Sequence, residues 1–124
     1  MPAHIVVVLR EPMLAGKTVE ALAKAGYNAI AMINSMAALE ALEAAETVQL
    51  LITSAEFPGG QPNGAALARM TRQRRPGLKV IFADGPELHP YVRQDGVFIP
   101  TPTTPGTIVE LAEKMMRGAA LEPR

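Results

Sequence analysis

The chain has 124 residues, of which 48% are apolar, and its 12 basic and 12 acidic residues give a formal net charge of zero. This length suits one domain, residues 1–124, with a core of its own. The absence of cysteine excludes disulfides, thiolate metal sites and a cysteine nucleophile. Zero net charge provides no general attraction to nucleic acid or to an anionic membrane, and we predict neither as a partner.

The N-terminal apolar run at residues 5–9 is too short to span a membrane and lacks the basic lead of a signal peptide. We therefore expect a cytoplasmic protein. The two histidines, His4 and His89, lie far apart in sequence, and no residue pattern predicts a metal site or a cofactor.

The first half of the chain alternates apolar runs with helical patterns. Its opening run is β-branched, which is typical of a central parallel strand covered on both faces. Gly26 ends the first helical pattern because it is free to adopt the left-handed conformation, and Asn34 is a suitable N-cap for the second. The predicted elements in order are a strand at 5–9, a helix at 13–25, a strand at 28–33, a helix at 36–45 and a strand at 49–53.

The second half opens on residues 57–64, which are turn residues throughout. Asn63 can cap the third helix, whose inward positions we assign to Ala66, Leu67 and Met70. Two prolines and two glycines between 85 and 96 allow at most a short fourth helix. The remaining predicted elements are a strand at 79–83, the short helix at about 88–94, a strand at 97–99 and a last helix that begins with Thr104 and Pro105 and buries Met115.

Strand and helix thus alternate five times, which predicts an α/β fold with a doubly wound five-stranded parallel sheet. Right-handed crossovers leave few topologies, and we predict the flavodoxin-like strand order 2-1-3-4-5, which is one of the two common choices. The chain stops just after the fifth helix, so we expect no output domain. In open α/β sheets the functional site lies at the carboxyl ends of the strands.

Three of those strand ends carry a family resemblance. The first strand runs into residues 10–14 (Arg-Glu-Pro-Met-Leu), the third into residues 54–59 (Ser-Ala-Glu-Phe-Pro-Gly), and the fifth into Thr101-Pro102. They resemble a bacterial response-regulator receiver domain of the chemotaxis type. That family has an acidic pair, a phosphoacceptor aspartate followed by Met-Pro-Gly, and a Lys-Pro pair at these places. The resemblance covers nearly the whole chain and weakens at 85–96.

The resemblance implies a degenerate phosphoacceptor pocket, a "pseudo-receiver" without the phosphoacceptor aspartate. The magnesium-binding acidic pair falls on Leu9 and Arg10, the phosphorylated aspartate on Ser54, the switch hydroxyl on Asp84, the lysine on Thr101 and the switch aromatic on Phe98, while Glu11 follows the first pair. Mg²⁺ prefers carboxylate oxygens, which the first two positions lack. An acyl phosphate needs a carboxylate nucleophile, and we predict no catalytic residue.

Two details of the pocket follow from this alignment. Arg10 is predicted to reach across the carboxyl ends of the first, third and fourth strands and pair with Asp84, since these two residues flank the small Ser54. The pair would lock the pocket without metal or phosphate. Glu11 is expected to be solvated rather than paired with Asp84 for acid–base work. The family's bond before proline implies a cis peptide at Thr101-Pro102.

The function implied is that of a stand-alone, atypical receiver in a bacterial two-component phosphorelay, which acts as a protein-interaction module without phosphorylation. A histidine kinase, a photoreceptor or an output protein is the expected partner. Any homodimer is expected on the face of the fourth and fifth helices, with Tyr91 and Phe98 as aromatic anchors. The alternatives are an enzyme or small-ligand binder with an open pocket around Ser54, and a regulatory domain cut from a longer chain.

A basic cluster in the third helix raises a separate possibility, contact with phosphates. Its members also lie at a helix C-terminus, where each cation is favoured by about 0.3–1 kcal/mol. We therefore interpret the cluster as structural: it comprises Arg69, Arg72, Arg74 and Arg75.

Overall fold

Strands and helices alternate along the chain in the computed structural model, which describes residues 3–59 and 61–117. The strands are β1 (Ile5–Val8), β2 (Ala29–Ala31), β3 (Leu50–Thr53), β4 (Lys79–Asp84) and β5 (Val97–Pro100). The helices are α1 (Pro12–Lys24), α2 (Ser35–Ala44), α3 (Gly64–Arg72), α4 (His89–Val92) and α5 (Pro105–Arg117). Gly60, in the predicted turn, lies outside the described residues.

The five strands form one parallel sheet in the order β2-β1-β3-β4-β5, which confirms the predicted topology. β1 lies between β2 and β3, where Val7 aligns with Ala31 on one side and Ile52 on the other. Every residue of β1 and β3 is buried. Central strands covered on both faces by helices have no solvent side, so their sequences are continuously apolar.

Two core layers lie on opposite faces of the sheet, because successive side chains of a strand point to opposite faces. Val6 and Val8 belong to the layer under α2 and α3, which also holds Phe82. Ile5 and Val7 belong to the layer under α1 and α5. Alternate residues of the strands therefore contribute to the two layers. The carboxyl ends of the strands lie beyond these layers and carry polar groups such as Asp84.

The helix boundaries follow local capping chemistry. The Asn34 side chain accepts a hydrogen bond from the Ala37 amide at 2.8 Å, and the Asn63 side chain accepts one from the Ala66 amide at 2.8 Å. Gly26 has a φ of 96°, a left-handed conformation that suits glycine. Both predicted asparagine caps and the glycine stop are confirmed. α1 starts one residue earlier than predicted because Pro12 is favourable in the first helical turn.

The inward assignment of α3 was correct at Leu67 and wrong at two positions, since Ala66 is only half-buried and Met70 is 43% exposed. The buried residues of this helix include Gly64, Leu67, Ala68 and Thr71, which recur at the helical spacing of three and four residues. The size and apolar character of Met70 suggested that it is buried, whereas the structure buries small residues where the helix approaches the sheet closely. Met115 on α5 is buried as predicted.

The fourth helix is abbreviated, as predicted. A 3₁₀ turn at Pro86–Leu88 leads into α4, which spans four residues. Proline lacks the amide that a longer helix would need, and both Pro86 and Pro90 fall in this segment. Within residues 3–59 and 61–117, no helix combines the length and apolar character needed to cross a membrane.

Candidate functional site

A network of hydrogen bonds at the carboxyl edge of the sheet centres on Asp84, the last residue of β4. Its side chain is only 2% exposed. Oδ1 accepts from the Arg10 guanidinium, with which it forms a salt bridge, and from the Gly85 amide at 2.8 Å. Oδ2 accepts from the amides of Ala55 at 2.9 Å and Glu56 at 3.2 Å. Both carboxylate oxygens are thus satisfied, as the burial of a charge requires.

Ser54 lies directly after β3 and beneath this network. Its hydroxyl accepts a hydrogen bond from the Arg10 amide at 3.0 Å. Arg10 is therefore held twice, by its backbone at Ser54 and by its guanidinium at Asp84. The predicted Arg10–Asp84 contact across Ser54 is confirmed.

The other predicted pocket residues contribute differently. Leu9 is buried in the core layer under α1 and α5, and Glu11 is exposed at the start of α1. The Thr101 amide donates to the Asp84 carbonyl at 2.9 Å, and the Thr101–Pro102 bond is cis, as predicted. Among the described contacts, neither the Glu11 nor the Thr101 side chain joins the Asp84 network. The structure therefore brings together Arg10, Ser54 and Asp84.

Several participants had no signal in the sequence. The amides of Ala55, Glu56 and Gly85 belong to the backbone, so the residue types do not predict that these amides donate to Asp84. Gly64 was noted only as a turn residue, yet a Cβ there would lie 2.1 Å from the Ser54 carbonyl oxygen. The start of α3 therefore approaches the end of β3 so closely that only glycine fits.

Magnesium does not fit these residues. Leu9 offers no oxygen ligand and lies in the core, Arg10 carries a positive charge into the site, and both oxygens of Asp84 already accept hydrogen bonds. A search of residues 3–59 and 61–117 finds no group of three or more metal-binding side chains. Since Mg²⁺ is bound through free carboxylates and phosphate oxygens, the side chains at this edge do not form a magnesium site.

The enzyme alternative depends on an open pocket around Ser54. Ser54 is only 4% exposed. A cavity of about 490 Å³ does lie beside Arg10, but its lining comprises Arg10, Glu56, Phe57, Pro58, Gln61 and Asn63. Ser54 is not among the residues that line this cavity.

No protein-family model matches the chain. Its structure is similar to a CheY-like response regulator receiver domain protein from Methanospirillum hungatei JF-1, with a TM-score of 0.80 and 20% identity, covering 94% of this chain and 95% of that chain. The receiver domain of the hybrid histidine kinase CckA gives a TM-score of 0.74 and 24% identity, covering 90% and 97%. The chain has the fold of a response-regulator receiver domain.

A longer protein of this kind, NtrX from Brucella abortus, gives a TM-score of 0.80 at 21% identity. The match covers 98% of this chain but only 28% of the NtrX chain. The receiver domain of NtrX, solved alone, matches 93% of this chain and 99% of its own length, so the chain corresponds in extent to that domain. At these identities the likeness concerns the fold, and the chemistry has to be argued from the residues themselves.

The short α4 of this receiver fold leaves a groove beside α3. The groove has a volume of about 590 Å³, and its wall includes Ala55, Glu56, Ala66, Leu88 and Tyr91. The Tyr91 side chain is 74% exposed. An exposed aromatic beside a partly apolar groove is a feature common to protein interfaces.

The Phe98 ring on β5, at the predicted switch position, is half-buried. It stacks on the His89 ring of α4, with the ring centroids 4.7 Å apart and the planes inclined by 16°. Phe98 therefore holds the short α4 against β5, and the exposed aromatic on this face is Tyr91.

Three arginines of the basic cluster make structural contacts, as predicted: Arg69 and Arg72 lie on α3, and Arg75 follows it. Arg69 forms a salt bridge with Asp95 at 2.9 Å, and this hydrogen bond, together with the attraction between the charges, raises the pKa of the Arg69 guanidinium. Arg72 donates to the Leu78 carbonyl at 3.1 Å. Arg75 donates to the carbonyls at the end of α2, those of Leu42 and Ala45, which lack partners within the helix.

Proposed function

We propose that this chain is an atypical receiver domain that acts as a non-enzymatic protein-interaction module in bacterial two-component signalling. In this proposal it works without phosphorylation of its own site. The observation that carries the proposal is the Arg10–Asp84 salt bridge across the buried Ser54. That arrangement fills the edge of the sheet with an internal ion pair.

The chemistry of the site supports independence from phosphorylation. Formation of an acyl phosphate needs a carboxylate that can attack phosphorus, with its charge neutralised at the same time. Ser54 has a hydroxyl at that place, and the hydroxyl already accepts a hydrogen bond from the Arg10 amide. The nearby carboxylate of Asp84 accepts four hydrogen bonds, so it is not available as a nucleophile or as a base for Ser54.

Exposure to small phosphodonors tests this part of the proposal. We expect acetyl phosphate or beryllofluoride with Mg²⁺ to leave both the mass and the amide spectrum of the protein unchanged. A receiver domain that has the phosphoacceptor aspartate, treated in parallel, provides the positive control. A Mg²⁺-dependent shift centred on Ser54 would falsify the proposal.

The interaction role is supported by the groove between α3 and α4. The exposed Tyr91 ring stands at its edge, and Ala66 and Leu88 contribute apolar surface to its wall. Aromatic side chains of this kind anchor many protein interfaces. A histidine kinase, a photoreceptor or an output protein is the proposed class of partner for this groove, and a homodimer is proposed on the face of α4 and α5.

Light scattering combined with size exclusion measures self-association directly. If the protein dimerises on the α4–α5 face, Tyr91→Ala should weaken the dimer. Met13→Ala should not, because Met13 is equally prominent at 72% exposure but lies on α1. A dimer that is lost in Met13→Ala and kept in Tyr91→Ala contradicts the proposed face.

A further inference from the structure

Four N–H donors from three separate segments converge on one buried carboxylate. Arg10 comes from the turn after β1, Ala55 and Glu56 from the loop after β3, and Gly85 from the turn after β4. Three of the donors are backbone amides, whose positions are fixed by the strands that precede them. The arrangement therefore belongs to the edge of the sheet as a whole and not to one side chain.

Such a set of donors is what an anion needs. Successive backbone amides pointing into a concavity bind anions through their partial positive charges, and a guanidinium adds a full charge and strong hydrogen bonds. The Arg10 side chain is 45% exposed, so one side of the concavity is open to solvent. The exposed Glu56 contributes its amide to the site, while its own carboxylate is not among the groups that occupy it.

We infer that the carboxyl edge is an anion-binding cradle and that the Asp84 carboxylate is its built-in ligand. The four donors are the binding site, and the carboxylate occupies it permanently because it is attached to β4. Removal of the carboxylate would leave a site for small carboxylate anions from solution. The inference deepens the proposed function at the same edge, since a cradle that is already filled has no need of an external phosphoryl group.

The occupied cradle also shapes the proposed interaction surface. Ala55 and Glu56 bond to Asp84 through their amides and line the groove that contains Tyr91. The carboxylate therefore fixes one wall of the groove in a single conformation. Loss of the anion should loosen that wall, and its replacement should restore it.

Amide exchange tests whether the carboxylate is the ligand. In Asp84→Asn one oxygen is replaced by an NH₂ group, which faces N–H donors and cannot accept from them. Depending on which oxygen is replaced, either the Gly85 amide or the amides of Ala55 and Glu56 lose their acceptor, and they should then exchange about tenfold faster, as loss of a hydrogen bond worth more than 1 kcal/mol implies. Amides within β1 and β3 should be unaffected. Unchanged exchange at all three loop amides overturns the inference.

Chemical rescue tests whether the cradle binds an external anion. Asp84→Ala lacks the carboxylate group, and formate supplies a group of that size and charge. We expect formate to raise the melting temperature of Asp84→Ala by about 5 °C more than sodium chloride of equal ionic strength, because a ligand that binds only the folded state stabilises it by mass action. The loop amides should move back toward their native chemical shifts.

Asp95→Ala is the matched control for the rescue. It also removes the carboxylate of an arginine–aspartate pair, but both oxygens of Asp95 bond to the single guanidinium of Arg69. Formate should therefore stabilise this variant no more than it stabilises the native protein. Equal responses of the two variants would mean a general salt effect and would overturn the cradle.

The rescue and the phosphodonor experiment fail independently. If Asp84→Ala does not respond to formate while the native protein remains unphosphorylated, the cradle is wrong and the proposed function stands. If the native protein takes up a phosphoryl group, the proposed function is wrong whatever the variant does.

Discussion

Two arginine–aspartate pairs occupy different regions of this molecule and do different work. Arg10–Asp84 lies at the carboxyl edge of the sheet, where the aspartate is almost fully buried and three amides complete its hydrogen bonds. Arg69–Asp95 joins α3 to the turn before β5, where the arginine side chain is 64% exposed and the aspartate side chain 13%. The same two residue types thus form the centre of a hydrogen-bond network in one region and a single salt bridge between two segments in the other.

This difference shows that the surroundings of an ion pair, and not its charges alone, determine how much the pair contributes to the free energy of unfolding. Burial of a carboxylate is costly unless both of its oxygens accept hydrogen bonds, so removal of any donor lowers the free energy of unfolding. When one member of an exposed ion pair is removed, water solvates the other member, and the free energy of unfolding changes little. Substitutions at both pairs and at their neighbours test this contrast, in order of decreasing effect.

The largest effect is expected from removal of the Asp84 carboxylate, compared with removal of the Asp95 carboxylate. Asp84→Ala leaves three amides and a guanidinium without their shared acceptor, and it should lower the free energy of unfolding by about 3 kcal/mol. Asp95→Ala should cost much less because Arg69 remains solvated. Urea unfolding of both variants measures the difference; similar losses would show that burial does not distinguish the pairs.

Gly64→Ala tests how tightly the carboxyl edge is built. The added Cβ would lie 2.1 Å from the Ser54 carbonyl oxygen and 3.2 Å from the Phe82 ring, and a backbone carbonyl has no free rotation by which to move away. We expect a loss of about 2 kcal/mol from overpacking. Gly77→Ala is the control, with nothing within 4 Å of its Cβ, and should unfold at nearly the native urea concentration. A stabilised Gly64→Ala variant would mean that the loop after β3 is free to shift.

Substitution of the two arginines compares how much the cationic member of each pair contributes to stability. Arg10→Gln removes one charge-assisted donor from Asp84 but leaves its three amides, and the half-exposed side chain limits the loss to about 1 kcal/mol. Arg69→Gln should leave the unfolding midpoint unchanged. An Arg69→Gln variant that is less stable than Arg10→Gln reverses the proposed order of the two regions.

Buried hydroxyls give the smallest predicted effects, of opposite sign in the two regions. The Ser54 hydroxyl accepts from the Arg10 amide, so Ser54→Ala should destabilise by about 0.5 to 1 kcal/mol. The Thr71 hydroxyl on α3 is buried and has no hydrogen-bond partner among the described residues. Thr71→Val keeps the shape of the side chain and should stabilise by a similar amount. Thermal melts of both variants suffice, and a destabilised Thr71→Val would reveal a missing partner.

Much of the fold was predictable because it depends on local patterns. Continuous apolar runs predicted buried parallel strands, and Asn34 and Asn63 were recognised as helix caps. The alternation of strands and helices predicted the parallel sheet, and the predicted strand order was one of the two common choices for such a sheet. The inward face of α3 was misassigned at Met70 because side-chain size suggested burial, whereas the close approach of α3 to the sheet favours small residues.

The Arg10–Asp84 contact was predictable because the strand order implied by the family resemblance places only β3 between β1 and β4, and the carboxyl ends of parallel strands meet at one edge. The sequence also determined that none of Leu9, Arg10 and Ser54 has a carboxylate side chain. Only the tertiary structure decided that the amides of Ala55, Glu56 and Gly85 would complete the cradle. Every residue type except proline has a backbone amide, so the direction in which it points depends on the packed strands and loops and not on the identity of the residue.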